Sequence, residues 1–169
     1  MANWCSNYLT VTGGSEEDTK EFFECFINMS EKQKSEGLGQ FPEELLSENL
    51  DEAYLFGIYC EEDHQDYISF ETRWAPPIQL VVAIGKKFKV SFEMEYDESG
   101  NQIYGKLTYN FEKDNFRDVY LDDSDFDEFE YIDEEDVYKF RDNLWESDGE
   151  IKELLLEEKI KKGKEIWSI

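Results

Sequence analysis

The first part of the chain shows a strand pattern followed by a helix pattern. Apolar and polar residues alternate over residues 4–12, and two glycines end the run, which predicts a β-strand and a turn. Ser15 stands three residues before Asp18, as in a capping box. Four apolar residues then recur at helical spacing: Phe22, Phe23, Phe26 and Met29. These features together predict a helix over residues 16–31.

The next part of the chain is predicted to contain a loop with a short helical turn, two strands and a second helix. Residues 53–60 and 66–73 are rich in strand-forming residues and flank an acidic turn, which predicts an antiparallel hairpin. The segment before this hairpin, residues 32–52, contains glycines and a proline and is predicted to be a loop with a short helical turn at 43–46. After the hairpin, Pro77 lies at the start of a short helix over residues 78–88.

The alternation of apolar and polar residues is clearest at residues 90–96, and a returning strand is predicted at 103–111. The turn between them contains Gly100 and Asn101, as expected for a hairpin. The predicted order is therefore strand, helix, two strands, helix, two strands.

Three segments of this region resemble the YubB-type ferredoxin-like domain family, which is found in phage and plasmid proteins. They are NWCSNYLTVTG at 3–13, ISFETRWAPP at 68–77 and YGKLTY at 104–109. The resemblance implies an α+β fold in which helices lie on one face of a ferredoxin-like antiparallel sheet. It also implies an origin in a mobile genetic element, and it supplies no catalytic residues.

The last third of the chain is more acidic than the rest. Residues 121–136 hold ten acidic and no basic residues. An amphipathic helix is predicted from Val137, Phe140, Leu144 and Trp145. A second helix is predicted after Ser147, with apolar positions at Ile151, Leu154, Leu155 and Ile160. We therefore divide the chain into a core at 1–111 and an acidic, mainly helical extension at 112–169, packed on the core.

The overall charge narrows the choice of partners. The 42 acidic residues exceed the 17 basic ones and give a net charge of -25, which argues against direct binding to nucleic acid or to an anionic membrane. Aromatic residues make up 16% of the chain, more than a disordered acidic tail would contain. Because neither a membrane-spanning stretch nor a signal peptide is visible, a cytoplasmic location in a bacterial host cell is expected.

Catalytic and cofactor motifs are missing from the sequence. The single histidine, His64, lies among turn carboxylates, and a solvated side chain is the simpler interpretation. The cysteines, Cys5, Cys25 and Cys60, are far apart and are expected to be buried free thiols. The sequence also lacks a phosphate-binding glycine loop, so a protein without enzymatic activity or cofactor is expected.

A weak calcium candidate lies within the acidic run. Asp123, Asp125, Asp127 and Glu134 stand at positions 1, 3, 5 and 12 of a loop resembling an EF-hand. However, Glu128 occupies the position at which such a loop requires glycine. A solvated acidic face is therefore favoured over a metal site.

The acidic run itself is the candidate binding site. Carboxylates on a folded scaffold can imitate the charge row of DNA, and exposed aromatic residues can anchor a partner. The proposed contact residues are Asp122, Asp123, Asp125, Asp127, Glu128, Glu130, Asp133, Glu134, Phe126, Phe129 and Tyr131. The leading hypothesis is a DNA-mimic inhibitor that occupies a basic surface of a nucleic-acid-binding defence complex.

Two other functions are weighed beside this hypothesis. One is a structural or self-associating module whose acidity only confers solubility, and the other, less favoured, is a small hydrolase that uses scattered carboxylates. The oligomeric state and the conformation of residues 121–136 stay open at this point.

Overall fold

A computed structural model describes residues 3–36, 54–60 and 67–163. The helices are α1 (Glu16–Glu36), α2 (Ile78–Lys87), α3 (Asp123–Phe126) and α4 (Asp148–Lys162). The strands of the first sheet are β1 (Trp4–Gly13), β2 (Phe56–Cys60), β3 (Tyr67–Arg73), β4 (Ser91–Glu98), β5 (Ile103–Asn110) and β6 (Asn115–Tyr120). A second, smaller sheet contains β7 (Phe129–Ile132), β8 (Val137–Phe140) and β9 (Asn143–Trp145).

The larger sheet has six strands in the order β2-β3-β1-β4-β5-β6, and every neighbouring pair is antiparallel. The first six elements follow the order β1-α1-β2-β3-α2-β4. In this arrangement β3 lies between β1 and β2, and β1 lies between β3 and β4, as in the ferredoxin-like fold. The predicted α+β class with a ferredoxin-like antiparallel sheet is confirmed.

The main core lies between one face of this sheet and the helices α1 and α2. The ring of Phe22 is fully buried on α1 and packs against the rings of Phe26 and Phe92. On α2, a side chain at Gly85 would come 2.7 Å from Phe92, so the absence of one allows the helix to approach the sheet closely. The apolar positions predicted for α1 therefore face the sheet, as do Leu80, Val81 and Ile84 of α2.

Helix α1 is longer than the sequence pattern predicted. It continues through Glu36, so the first residues of the predicted loop at 32–52 are helical. Residues 32–36 are mainly lysine, glutamine and glutamate, which are good helix formers even without an apolar face. The helical turn predicted at 43–46 lies outside the described residues.

The extension begins as a continuation of the sheet. The predicted boundary after residue 111 falls in the turn between β5 and β6, and β6 pairs with β5 along its whole length. Helix α4 forms as predicted, and its N-cap Ser147 accepts a hydrogen bond from the backbone N–H of Gly149. No helix in the described part of the chain is long and apolar enough to cross a membrane.

The helix predicted from Val137, Phe140, Leu144 and Trp145 is wrong. These residues form strands β8 and β9, and β8 pairs with β7 on its other side. Arg141 has a φ of 54°, which a right-handed helix cannot contain. Aromatic and β-branched residues favour strands when a pairing partner is available, and β7 supplies that partner here.

A second core joins the extension to the opposite face of the sheet. Buried Ile151, Leu155 and Leu156 of α4 pack with Leu121, Phe126 and Phe140. Tyr104 and Val119, on the face of β5 and β6 away from α1 and α2, complete this cluster. Helix α4 therefore lies over β5 and β6, while the same face of β1, β2 and β3 remains exposed.

Candidate partner-binding site

The acidic run takes up three different conformations. Asp122 is the N-cap of α3 and forms a complete capping box with Asp125. Its side chain accepts a hydrogen bond from the N–H of Ser124, and the Asp125 carboxylate accepts one from the N–H of Asp122 at 2.8 Å. Strand β7 follows, and residues 133–136 form the turn into β8. The run therefore has a defined geometry.

Two carboxylates of the run are occupied by a lysine of α4. The ammonium of Lys159 lies 2.7 Å from Asp122 and also contacts Asp125. The hydrogen bond from Lys159 is the main reason that the pKa of Asp122 falls to about 2. Asp122 and Asp125 therefore attach α3 to α4, and the one ammonium compensates one of their two charges.

Two more carboxylates have cationic neighbours on the surface. Glu128 lies 3.7 Å from Arg141, and Glu130 lies 3.8 Å from Lys139 on the neighbouring strand. Arg141 also donates two hydrogen bonds of 2.9 and 3.0 Å to Glu158 of α4. Exposed pairs of this kind contribute little to stability, but they reduce the negative charge that a partner would meet.

The remaining carboxylates of the run differ in this respect. Asp123 and Asp127 lie at α3, at one end of β7, and residues 133–135 lie at its other end. Their side chains are exposed, and none of them forms an ion pair within the described residues. The four residues of β7, which extend over about 13 Å, lie between the two groups. We call these five residues the unpaired carboxylates: Asp123, Asp127, Asp133, Glu134 and Glu135.

The structure corrects two of the three predicted aromatic anchors. Phe126 is buried, and Phe129 packs against it with a ring separation of 6.1 Å. Both belong to the second core because the small sheet needs an apolar face against α4. Tyr131 is exposed, and its hydroxyl donates a hydrogen bond of 2.6 Å to Asp136.

The calcium candidate is also corrected. Asp123 and Asp125 lie in α3, Asp127 follows directly, and Glu134 lies beyond β7. An extended strand cannot bring a loop back on itself, and Glu128 stands where a glycine would have been needed for the turn. Among the described residues, no three potential ligands come together as a metal site.

The candidates for covalent catalysis, the histidine and the cysteines, are not part of the acidic run. His64 lies outside the described residues. Cys5 and Cys25 are buried thiols, as predicted, and Cys60 is a partly buried thiol. Burial raises the pKa of the Cys5 thiol to about 12 and that of Cys60 to about 11. Both thiols are therefore protonated at neutral pH and are poor nucleophiles.

The structure shows a second candidate binding surface that is not among those predicted from the sequence. We call it the open face: the aromatic side chains of β1, β2 and β3 that point away from the main core. Its members are Trp4, Tyr8, Phe56, Tyr59 and Tyr67. Trp4 packs edge-on against Phe56 at 5.0 Å, and Tyr8 stacks with Tyr67 at 6.3 Å. The signal was present in the first strand, where aromatic residues occupy positions that alternate with the buried ones.

Carboxylates surround the open face. In the register of the sheet, Glu71 on β3 and Asp97 on β4 both lie opposite Ser6 of β1, and Glu95 on β4 lies opposite Tyr8. A groove of about 650 Å³ runs beside Trp4 and Tyr8 toward Asp97. The surface therefore combines exposed rings with negative charge.

Comparison with known proteins gives a family match over residues 55–141, described as the ferredoxin-like domain in Api92-like protein. The match extends from β2 to the turn after β8 and covers slightly more than half of the chain. Neither a curated protein nor a solved structure matches the chain. The match confirms a ferredoxin-like domain, and the chain belongs to the family of the ferredoxin-like domain in Api92-like protein.

Proposed function

We propose that this protein is a non-catalytic binding protein that occupies a basic surface on a nucleic-acid-binding partner. The observation that carries the proposal is the fixed display of the unpaired carboxylates at the two ends of β7. In its full form, the proposal describes a DNA-mimic inhibitor of a host defence complex. Such a protein would be carried by a phage or plasmid of the YubB type and would act in the bacterial cytoplasm.

The spacing of the charges supports this role. Each strand of duplex DNA carries one phosphate per about 3.4 Å of helix axis, so the length of β7, about 13 Å, corresponds to about four phosphates along that axis. A basic groove that follows a DNA strand can therefore meet both groups at once. The net charge of -25 would also attract a basic partner over long distances and raise the association rate.

The contacts of Asp118 indicate a structural role rather than a catalytic one. Burial raises the pKa of Asp118, which makes it the natural candidate for an acid or base. Its carboxylate, however, accepts a hydrogen bond of 2.6 Å from the hydroxyl of Tyr96. Burial and that same hydrogen bond raise the pKa of Tyr96 as well. The pair therefore links β4 to β6 across β5, which lies between them.

The test is a capture experiment with the full chain as bait in a bacterial lysate, at low and then at high salt. The bound protein is identified, purified and titrated in competition with a short DNA duplex. We expect a basic nucleic-acid-binding protein that is released by salt and is displaced by the duplex, because both ligands would occupy one groove.

A matched pair of variants locates the site. The test variant carries Asp123→Asn, Asp127→Asn, Asp133→Asn and Glu134→Gln, which leave the Lys159 contacts intact. The control carries Glu17→Gln, Glu21→Gln, Glu31→Gln and Glu112→Gln, which remove the same charge from exposed positions far from β7. We expect the test variant to lose binding by about tenfold or more and the control to lose much less.

Equal losses of affinity in the two variants would show that binding depends only on net charge, and would refute the proposed location of the site. Recovery of the bait alone, together with a dimer or larger species in solution, would instead favour a self-associating module. One observation on the surface agrees with that alternative, since Leu144 on the edge strand β9 is an exposed apolar residue.

A further inference from the structure

The open face lies on the half of the sheet that α4 leaves uncovered. The side chains of Trp4 and Tyr8 are 43% and 45% exposed, and that of Tyr59 is 52% exposed. Exposed aromatic rings in such a group usually mark a binding surface. We propose that the open face binds an extended, arginine-rich segment of a partner protein.

The chain itself shows how a guanidinium group is accommodated on this face. The guanidinium of Arg73 lies 5.8 Å from the ring centre of Trp4 and 5.3 Å from that of Phe56. Both distances are within the range of a cation–π contact. Tyr8 and Tyr67 lie on the same face and also present exposed aromatic rings.

The charges around the rings favour a cationic occupant. Glu71, Glu95 and Asp97 border Tyr8 and Ser6 in the register of the sheet. Lys106 is shared by Glu93 at 2.7 Å and Glu95 at 3.3 Å. Lys152 is shared by Asp148 at 2.8 Å and Asp97 at 3.4 Å, so each lysine compensates only one of its two carboxylates and the border of the face stays negative. A guanidinium could therefore stack on a ring and donate hydrogen bonds to a neighbouring carboxylate.

The spacing suits an extended segment. Trp4 and Tyr8 point to the same side of β1 and are four residues apart, or about 13 Å along the strand. Side chains four residues apart in an extended peptide have the same separation. An arginine stacked on Tyr8 would therefore place a second arginine beside Trp4, where it would replace Arg73 on the ring.

Single-stranded nucleic acid also stacks on aromatic residues, but it needs cations along its backbone. On the open face its phosphates would meet Glu71, Glu95 and Asp97 instead. The charge of the surface thus favours the peptide, and an oligonucleotide serves as the competing probe in the test.

The experiment measures fluorescence anisotropy of labelled nona-arginine, nona-lysine and ten-nucleotide oligothymidylate titrated with the full chain at about 150 mM salt, where exposed charges are screened. We expect nona-arginine to bind several-fold more tightly than nona-lysine, since guanidinium stacks better on aromatic rings. The double substitution Tyr8→Ala and Tyr67→Ala should weaken nona-arginine binding by about tenfold and remove its advantage over nona-lysine.

Three controls make the result specific. Tyr8→Phe with Tyr67→Phe keeps the rings and should bind as the parent does. Tyr120→Ala removes an equally exposed ring from β6 and should also leave binding unchanged. The variant that neutralises four of the unpaired carboxylates should keep the preference for arginine, so this inference and the proposed function can fail separately.

Equal affinity for nona-arginine and nona-lysine, unaffected by Tyr8→Ala with Tyr67→Ala, would overturn the proposal and attribute binding to net charge. Tighter binding of oligothymidylate that is lost in the same double variant would overturn it in favour of a nucleic-acid surface. Failure of all three probes to bind would overturn it as well.

Discussion

Lys152 attaches the C-terminal helix to the central sheet through a buried ammonium group. Its side chain lies 2.8 Å from Asp148 on α4 and 3.4 Å from Asp97 on β4, and its nitrogen is 5.7 Å from the ring centre of Tyr104. Burial alone would lower the pKa of Lys152, but the hydrogen bonds and charges of the two aspartates raise it. The lysine therefore stays protonated and joins the two layers.

The substitution Lys152→Met removes this charge and keeps the apolar stem of the side chain. Removal of one partner from a fully buried ion pair costs about 3–5 kcal/mol. Here the lysine side chain is 5% exposed, but those of Asp97 and Asp148 are 33% and 35% exposed, so water can solvate them once the lysine is gone. We therefore expect a smaller loss, about 2 kcal/mol in the free energy of unfolding.

The assay is urea denaturation at pH 7. Lys161→Met is the matched control, because Lys161 also pairs with a carboxylate one helical turn away, Glu157, but its side chain is 72% exposed. The control should change the free energy of unfolding by less than about 0.5 kcal/mol. If Lys152→Met lost no more than the control, the buried ammonium would not stabilise the contact between α4 and the sheet.

Three further predictions test other parts of the fold. Gly105→Ala would place a methyl group 2.7 Å from the carbonyl oxygen of Val119 and should cost about 1–3 kcal/mol in thermal unfolding, whereas Gly13→Ala, with 3.5 Å to its nearest neighbour, should cost less. Asn7→Ala removes buried hydrogen bonds of 2.9 and 3.1 Å and should lower the free energy of unfolding in urea by about 1–3 kcal/mol. The paired guanidinium lowers the pKa of Glu158 from 4.5 to about 2, so this carboxylate stabilises the fold above pH 4.5 and loses that effect as the pH falls toward 2. The difference in melting temperature between the parent and Glu158→Gln should shrink over the same interval, and a difference that persisted at pH 2 would contradict this assignment.

The strands of the core were the easiest elements to predict. The strands predicted at 4–12, 90–96 and 103–111 correspond to β1, β4 and β5 with ends that differ by at most two residues. In a strand with one buried face, apolar and polar residues alternate, so the pattern can be recognised in the sequence alone. The capping pattern identified Ser147 as the N-cap of α4. Of the apolar positions predicted for that helix, Ile151 and Leu155 are buried, whereas Leu154 is 40% exposed.

The strands of the small sheet, β7 to β9, could not be predicted from local sequence patterns. Residues 137–145 have apolar positions compatible with a helix, and the strands they form depend on pairing with β7. Phe126 and Phe129 can anchor a partner only if their rings are exposed, yet Phe126 is buried in the second core and Phe129 packs against it. Neither outcome follows from local pattern, since both depend on which elements meet in three dimensions.

The open face could be anticipated only in part. The aromatic residues at the outer positions of the first strand are visible in the sequence, but their exposure depends on the position of α4. That helix covers β5 and β6 and leaves β1 to β3 uncovered. The carboxylates that face these rings come from β3 and β4, so they are identified only by the sheet register.

The extension uses its cations for internal contacts, and this arrangement determines where its negative charge is available. Lys159 is bound to α3, Lys152 to β4, and Arg141 to α4. Each of these contacts compensates a carboxylate that fixes one element to another. The acids that remain unpaired are therefore those that contribute least to folding. It follows that neutralising Asp122 should change stability, whereas neutralising Asp123, one residue later, should change only the surface that a partner meets. The two variants have the same net charge, so a loss of partner binding restricted to Asp123→Asn would separate recognition from folding.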